Sequence, residues 1–197
     1  MTTLPSATGR RSREDVIAAA GTLFAERGFH GTSMRDLGDA LGLLGSSLYA
    51  HIGSKNELLE EIVSDGVERC LALAAGVAAS DLAPMERMEA LVVGHVRLVT
   101  EHLATWTTFV NEYRFLPAEQ RARIVELRDR YQGEFRAVLE DGMARGVFRA
   151  GLDTHLVATY VLSLLNAVPG WYRPEGSLGA DELGKSIFDL VSGGLRP

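Results

Sequence analysis

The side chains best suited to contact another molecule lie between residues 45 and 55. Glycine lets a backbone approach closely, and serine hydroxyls can donate to or accept from the edges of nucleic-acid bases. Tyr49, His51 and Lys55 carry donors that suit phosphate oxygens, and Lys55 begins a predicted helix, where free amides also attract anions. The small residues of this segment are Gly45, Ser46 and Ser47. Together these residue types predict a surface that binds DNA.

A second basic group precedes this segment. Arg10, Arg11 and Arg13 stand in a stretch, residues 1–13, that contains no acidic residue. Arms of this kind commonly follow the DNA backbone or enter the minor groove. We therefore expect Arg10 and Arg11 to contact DNA.

Three short helices would position these side chains, and each begins at a serine that is followed three residues later by a carboxylate. The hydroxyl and the carboxylate can then satisfy free amides at the helix start. The pairs are Ser12 with Asp15, Ser33 with Asp36, and Ser54 with Glu57. Glutamate is the better-attested partner in such pairs, so the pattern favours a helix start at Ser54 most strongly.

Glycines mark where the first two helices end. Gly28 and Gly42 stand where a helix must stop and the backbone needs a positive φ. The pattern predicts helices over 13–27, 33–41 and 44–51, with a tight turn at 42–43. A helix, a turn and a short helix rich in small polar residues are typical of the helix-turn-helix.

This stretch resembles the TetR family of bacterial transcriptional regulators. The matching residues are TSMRDL at 32–37, SLY at 47–49 together with His51, and SKNELL at 54–59. Where the family usually has Ser-Lys-Gly, this chain has Leu-Gly-Ser at 44–46. The resemblance implies that the partner is a double-stranded DNA operator. It also places Thr32, Ser33 and Arg35 among the DNA contacts.

Beyond residue 55 the chain has the pattern of helices throughout, without strand-like alternation. The predicted helices cover 55–80, 84–102, 104–114, 117–145, 153–171 and 181–193. We therefore expect an all-α protein of about nine helices. A DNA-binding helix-turn-helix domain would occupy residues 1–54, and a ligand-binding and dimerisation domain residues 55–197. No flexible linker separates them, so the helix over 55–80 should couple the two parts rigidly.

Charge is distributed unevenly along the chain. Residues 1–55 hold six basic and five acidic side chains, whereas residues 56–197 hold 14 basic and 21 acidic ones. The acidic part is a poor DNA surface and should turn the N-terminal part toward the duplex. No apolar run approaches the roughly 18 residues of a membrane span, and no secretion signal opens the sequence. We therefore expect a cytoplasmic protein without a membrane partner.

The helix predicted over 153–171 is apolar on nearly every side. Such a helix must be buried all round, and a second copy of the chain is the simplest cover. The resemblance implies a homodimer in which the last two helices pair with their copies. The alternative is a helix fully buried in a monomer. The residues expected at the interface are Tyr160, Leu164, Leu183 and Phe188.

Aromatic and polar residues between the later helices could line a cavity for a small molecule. The predicted lining residues are His95, His102, Trp106, Phe109, Glu112, Tyr113, Tyr131, Asn166, Trp171 and Arg173. The simpler alternative is that the aromatic side chains form ordinary core, and that the two histidines are hydrogen-bonded within it. No third ligand stands at a spacing typical of a metal site, so we expect no metal and no cofactor.

Two segments narrow the ligand class. Residues 111–148 and 167–178 resemble a TetR subgroup that senses acyl-CoA thioesters in fatty-acid and steroid breakdown. The resemblance implies that the acyl group enters the cavity while a guanidinium meets the CoA phosphates. The candidate arginines are Arg114, Arg121, Arg123 and Arg173. The alternative for residues 171–174 is a simple helix end and turn.

The resemblance implies a repressor that a small-molecule inducer, with an acyl-CoA thioester as the candidate, releases from a palindromic operator. The inducer would act by shifting the helix over 55–80. One alternative keeps the fold but senses a hydrophobic drug or signalling molecule and controls efflux. Another is a constitutive DNA-binding protein that has no ligand. The sequence has no phosphate-binding glycine loop, no HExxH and no Gly-x-Ser-x-Gly, so we do not expect an enzyme.

Overall fold

The computed structural model describes residues 12–42 and 53–197. These residues form eight α-helices and no strand, which confirms the predicted all-α class. The helices are α1 (Arg13–Arg27), α2 (Met34–Leu41), α3 (Lys55–Ala78), α4 (Pro84–Glu101), α5 (Leu103–Glu112), α6 (Ala118–Ala144), α7 (Thr154–Trp171) and α8 (Ala180–Leu195). A 3-10 turn, Tyr113–Phe115, joins α5 to α6. The helix predicted over 44–51 lies outside the described residues.

The first two helices begin at the predicted serine–carboxylate pairs. The Ser12 hydroxyl accepts from the amide of Asp15 at 3.1 Å, and the Ser12 amide donates to the Asp15 carboxylate at 2.9 Å. Ser33 and Asp36 make the same two bonds at 3.2 and 2.8 Å. The Ser33 hydrogen bonds lower the pKa of Asp36. Each pair therefore satisfies amides that the helix itself leaves free.

Helix α3 begins at Lys55, directly after the predicted Ser54. The Ser54 hydroxyl accepts from the amide of Glu57 at 3.1 Å, which is the hydroxyl half of the arrangement. Within the described residues, both halves of the serine–carboxylate pair form at the two aspartates. The helix ends follow prediction, because Gly28 and Gly42 have φ of 75° and 66°.

Helix α3 packs against α1 and also against α4, α5 and α6. Its buried side chains, such as Leu58, Ile62 and Val67, belong to an apolar core that continues from α1 to α8. A helix buried in this way cannot tilt without disturbing its neighbours on both sides. This arrangement agrees with the rigid coupling that the sequence predicts, while the boundary at residue 54 remains a prediction.

The last two helices leave an apolar face exposed on the single chain. Tyr160, Leu164 and Trp171 of α7 are 58%, 42% and 51% exposed, and Leu190 of α8 is 69% exposed. The other two residues predicted for the interface, Leu183 and Phe188, are buried in the subunit's own core because α8 turns them toward it. No helix in the described ranges is long and apolar enough to cross a membrane.

Candidate functional site

A cavity of about 250 Å³ lies among helices α3 to α7. Five of the residues predicted to bind a ligand line it: His95, Trp106, Phe109, Tyr131 and Asn166. The lining residues that sequence reasoning missed are Val67, Cys70, Val125, Arg128, Asp129, Gln132, Thr159, Leu162 and Ser163. The missed polar residues recur at helical spacing, as in Arg128 with Gln132 and Thr159 with Ser163. That spacing was the signal that could have found them.

The other five predicted residues do not line the cavity. His102 lies at the junction of α4 and α5, where its backbone amide donates to the Leu98 carbonyl at the end of α4. Tyr113 packs against the ring of Phe109, which does line the cavity. Trp171 is half exposed to solvent, and the guanidinium of Arg173 donates to its neighbour's carbonyl oxygen. The fifth, Glu112, faces α1 and is described below.

An uncharged polar cluster forms one part of the cavity wall. His95 is buried, with Nδ1 3.1 Å from the Tyr131 hydroxyl and 3.7 Å from the Cys70 sulfur. Burial lowers the pKa of His95 to about 3, and burial raises the pKa of Cys70 to about 12. Burial also raises the pKa of Tyr131 well above its usual value. At neutral pH all three side chains are therefore uncharged.

The more exposed part of the wall is also polar. Asp129, Thr159 and Ser163 are exposed, while Arg128 and Gln132 are half-buried. Gln132 donates to the Thr159 hydroxyl at 2.8 Å and so ties α6 to α7. The cavity therefore offers a deep neutral end and an outer end that carries charge.

Arg128 brings a cation to this outer end. Its guanidinium lies over the rings of Tyr113 and Phe109, 5.3 and 5.8 Å from their centres. It makes no ion pair within the part of the chain that the structure describes. Such a group is available to an anionic part of a ligand.

One helix of the cavity wall also contacts α1. Trp106 and Phe109 of α5 line the cavity, whereas Thr108 of the same helix donates its hydroxyl to the Gly21 carbonyl of α1 at 2.8 Å. A Cβ atom on Gly21 would lie 3.2 Å from the Thr105 hydroxyl, so glycine allows the two helices to approach closely. One face of α5 therefore lines the cavity, and the other face packs against α1.

The segment after α1 is held by side chains from two other helices. The Glu112 carboxylate accepts from the Phe29 amide at 3.0 Å. The Lys55 ammonium donates to the carbonyls of Phe29 and Thr32 at 2.7 and 2.8 Å. These bonds fix the path between α1 and α2.

Residues predicted to contact DNA fall into three groups. Thr32 is buried and donates its hydroxyl to the Gly28 carbonyl, and Lys55 is engaged as just described, so both have structural partners. Ser33 caps α2, and Arg35 projects from its first turn with a 90% exposed side chain. The remaining predicted contacts lie outside the described residues: Arg10, Arg11, Gly45, Ser46, Ser47, Tyr49 and His51.

Comparison with known proteins identifies the family. Residues 16–62 match the bacterial regulatory proteins of the tetR family, and residues 81–195 match the tetracyclin repressor-like C-terminal domain. The chain belongs to the TetR family. As a member of this family it is a DNA-binding transcriptional regulator.

Similar TetR-family proteins cover nearly the whole chain. The HTH-type transcriptional repressor KstR2 of Rhodococcus jostii is 31% identical over 189 residues, which span 95% of this chain and 92% of KstR2. The structure of PfmR from Thermus thermophilus is 34% identical with a TM-score of 0.85, and covers 92% of this chain and 99% of PfmR. The structure of the ketosteroid transcriptional regulator KstR2 of Mycobacterium tuberculosis is 28% identical with a TM-score of 0.87, over 97% and 98% of the two chains.

A further similar structure contains both a small ligand and DNA. AibR in complex with isovaleryl coenzyme A and operator DNA is 25% identical to this chain, with a TM-score of 0.79. The match covers 93% of this chain and 97% of AibR.

Proposed function

We propose that this TetR-family protein is a homodimeric repressor that leaves a near-palindromic operator when an acyl-CoA thioester occupies the cavity. The observation that carries the proposal is the double role of α5. Its residues Trp106 and Phe109 line the cavity, and its residue Thr108 is hydrogen-bonded to α1. A ligand that moves this helix must therefore disturb the contacts that hold α1.

Similar proteins support the regulatory direction and the ligand class. KstR2 is named a transcriptional repressor, and AibR is described with isovaleryl coenzyme A and operator DNA. This chain aligns with both over more than nine-tenths of its length.

The dimensions and chemistry of the cavity suit the acyl end of such a ligand. A volume of about 250 Å³ equals roughly eight water-sized volumes of about 30 Å³ each. A short or compact acyl group fits this space, and the nucleotide must remain outside. Arg128 at the outer end can meet an anionic group of the ligand. Among the arginines predicted for this role, Arg123 is already paired with Glu60 and Glu119.

Dimerisation would follow from the apolar face of α7 and α8. The exposed side chains of Tyr160, Leu164 and Leu190 form a surface that a second copy can cover. A two-fold dimer would present its two DNA-reading helices one turn of DNA apart, roughly 34–36 Å. A coupling free energy of about 1–3 kcal/mol between ligand and DNA would weaken operator binding roughly 5- to 150-fold.

Native mass spectrometry with a panel of acyl-CoAs and hydrophobic drugs tests the ligand class. We expect one acyl-CoA per subunit of a dimer, and weaker binding of that complex to DNA selected by the protein from a random pool. Retention of only uncharged drugs would favour the drug-sensing, efflux-controlling alternative. DNA binding that no member of the panel changes would favour a constitutive DNA-binding protein and contradict the proposal.

A further inference from the structure

The Nε2 atom of His95 is not satisfied by the packing around it. The side chain is 1% exposed, and Nε2 has no hydrogen-bond partner within the described ranges. A buried polar atom without a partner costs free energy, so proteins rarely keep one without a reason. His95 lines the cavity, and a bound molecule is therefore the group that could satisfy this atom.

The neighbours of the other ring nitrogen indicate which hydrogen-bonding role Nε2 has. Nδ1 lies 3.1 Å from the Tyr131 hydroxyl and 3.7 Å from the Cys70 sulfur. Because an imidazole nitrogen is a stronger acceptor than a phenol oxygen or a thiol, we assign the Tyr131 hydroxyl as the donor to Nδ1. A neutral imidazole carries one proton, which must then be on Nε2. Nε2–H is therefore a donor that lacks an acceptor.

We propose that His95 Nε2–H donates to a carbonyl oxygen of the ligand, so that the cavity selects compact apolar molecules that carry an uncharged carbonyl. The inference rests on the proposed function, because it takes the cavity as the inducer site. Thioesters and ketones belong to this class. A carboxylate in the carbonyl's place beside His95 does not, because an anion buried against this uncharged cluster loses its hydration without gaining a counter-charge there. Tyr131 acts through His95 as a positioning residue.

Two small probes of nearly the same shape separate hydrogen bonding from cavity filling. Cyclohexanone has a carbonyl where methylenecyclohexane has a carbon–carbon double bond. Dissociation constants from NMR titration of the protein should be about tenfold lower for cyclohexanone, the ratio that one buried hydrogen bond supports. The nitrogen resonances of His95 should report a proton on Nε2 in the free protein and a shift of Nε2 with cyclohexanone alone.

Three variants make the test specific. His95→Phe keeps a ring but removes the donor, so a bound carbonyl has no partner and cyclohexanone should bind more weakly than methylenecyclohexane. Tyr131→Phe removes the hydroxyl that fixes the proton, so the preference should weaken and both tautomers should appear. Thr100→Val is the matched control, because this hydroxyl is on the same helix as His95, does not line the cavity and donates to the Val96 carbonyl at 2.9 Å. Its preference for cyclohexanone should equal that of the wild type.

The outcomes distinguish this inference from the proposed function. Equal affinity for both probes, or a proton on Nδ1 in the free protein, would overturn the role of His95 and leave the cavity as a binding site. Failure of both probes to bind would overturn the site itself. A ketone preference without any acyl-CoA effect on DNA binding would support the role of His95 and contradict the proposed function. If His95→Phe does not fold, two measurements still test the role of His95: the position of the ring proton in the wild type, and the probe preference of Tyr131→Phe.

Discussion

The carboxylate of Glu112 accepts a hydrogen bond from the backbone amide of Phe29, although the two residues are 83 positions apart in the chain. Lys55 donates to the carbonyl of the same Phe29 and lies 4.3 Å from the centre of its ring. Side chains from α5 and α3 thus hold the backbone of one residue at the end of α1. The orientation of α1 depends on both helices, whereas the sequence suggested α3 alone.

Replacing Glu112 tests this junction directly. Glu112→Ala leaves the partly buried Phe29 amide without its acceptor and should lower the free energy of unfolding by about 1–2 kcal/mol. Glu112→Gln keeps an acceptor oxygen and should lower it by less. Urea denaturation measures both values. Equal losses in the two variants would show that the hydrogen bond itself does not matter.

The contact between Thr108 and Gly21 has a matched control on the same helix. Thr108→Val removes the hydroxyl that satisfies a buried carbonyl of α1 and should cost about 1–3 kcal/mol of stability. The Thr107 hydroxyl bonds to the Leu103 carbonyl within α5, so Thr107→Val should cost less than about 0.5 kcal/mol. The release of DNA by ligand should weaken in Thr108→Val and persist in Thr107→Val. If ligand released DNA normally from Thr108→Val but not from Thr107→Val, the role of α5 in coupling would be contradicted.

Lys55 should stabilise the fold rather than bind phosphate. Lys55→Met leaves the carbonyls of Phe29 and Thr32 without their donor, so unfolding should occur at a lower urea concentration. The dependence of DNA affinity on salt should keep its slope, since a lost phosphate contact would reduce that slope by about 0.9. Fluorescence anisotropy at several salt concentrations measures it. If the salt dependence of DNA affinity decreased by that amount, Lys55 would be a phosphate contact as the sequence predicted.

The exposed face of α7 should be the dimer interface. Tyr160→Arg combined with Leu164→Arg should yield monomers in sedimentation velocity, because charges would be buried between the two copies. Leu82→Arg is the control, since this exposed leucine lies outside α7 and α8. Leu183→Ala should instead lower the stability of the subunit by about 2–5 kcal/mol, because the side chain is buried in its core. A dimer that survives both arginines would place the interface elsewhere.

Acid should destabilise the protein through His95. Burial lowers the pKa of His95 to about 3, whereas an unfolded histidine titrates near 6.5. Between these values only the unfolded chain takes up the proton, so the contribution to stability is fully present above about pH 6.5 and declines as the pH falls. From pH 7 to 5.5 this one group should cost roughly 1 kcal/mol. Glutamine does not titrate in this pH range, so the free energy of unfolding of His95→Gln, measured in urea, should fall less between pH 7 and 5.5 than that of the wild type. An identical pH dependence in the variant and the wild type would refute this role of His95.

The helices could be predicted from the sequence because their signals are local. Helix α1 has the predicted bounds, and α7 begins one residue later than predicted. Serine caps, glycine stops and the spacing of apolar residues all act within a few positions of the chain. The direction in which each helix faces depends instead on its neighbours.

The site shows this limit most clearly. On α5 the residues at 106 and 109 face the cavity, whereas those at 105, 108 and 112 face α1. Glu112 was predicted to bind ligand because its sequence neighbours are aromatic, and nothing local reveals that α1 lies beside it. The local sequence likewise does not reveal which face of α8 meets the core: Leu183 and Phe188 face inward, and Leu190 faces outward.

The way the cavity wall is divided among helices also bears on how such a regulator can evolve. Val125 of α6 and Leu162 of α7 line the cavity without sharing a helix with Thr108 or Glu112. Substitutions at these two positions reshape the space for a ligand and leave the hydrogen bonds to α1 in place. A change at Trp106 or Phe109 affects the ligand space and the helix that carries the hydrogen bonds to α1. Descendants should therefore acquire new inducers through α6 and α7, while α5 diverges slowly.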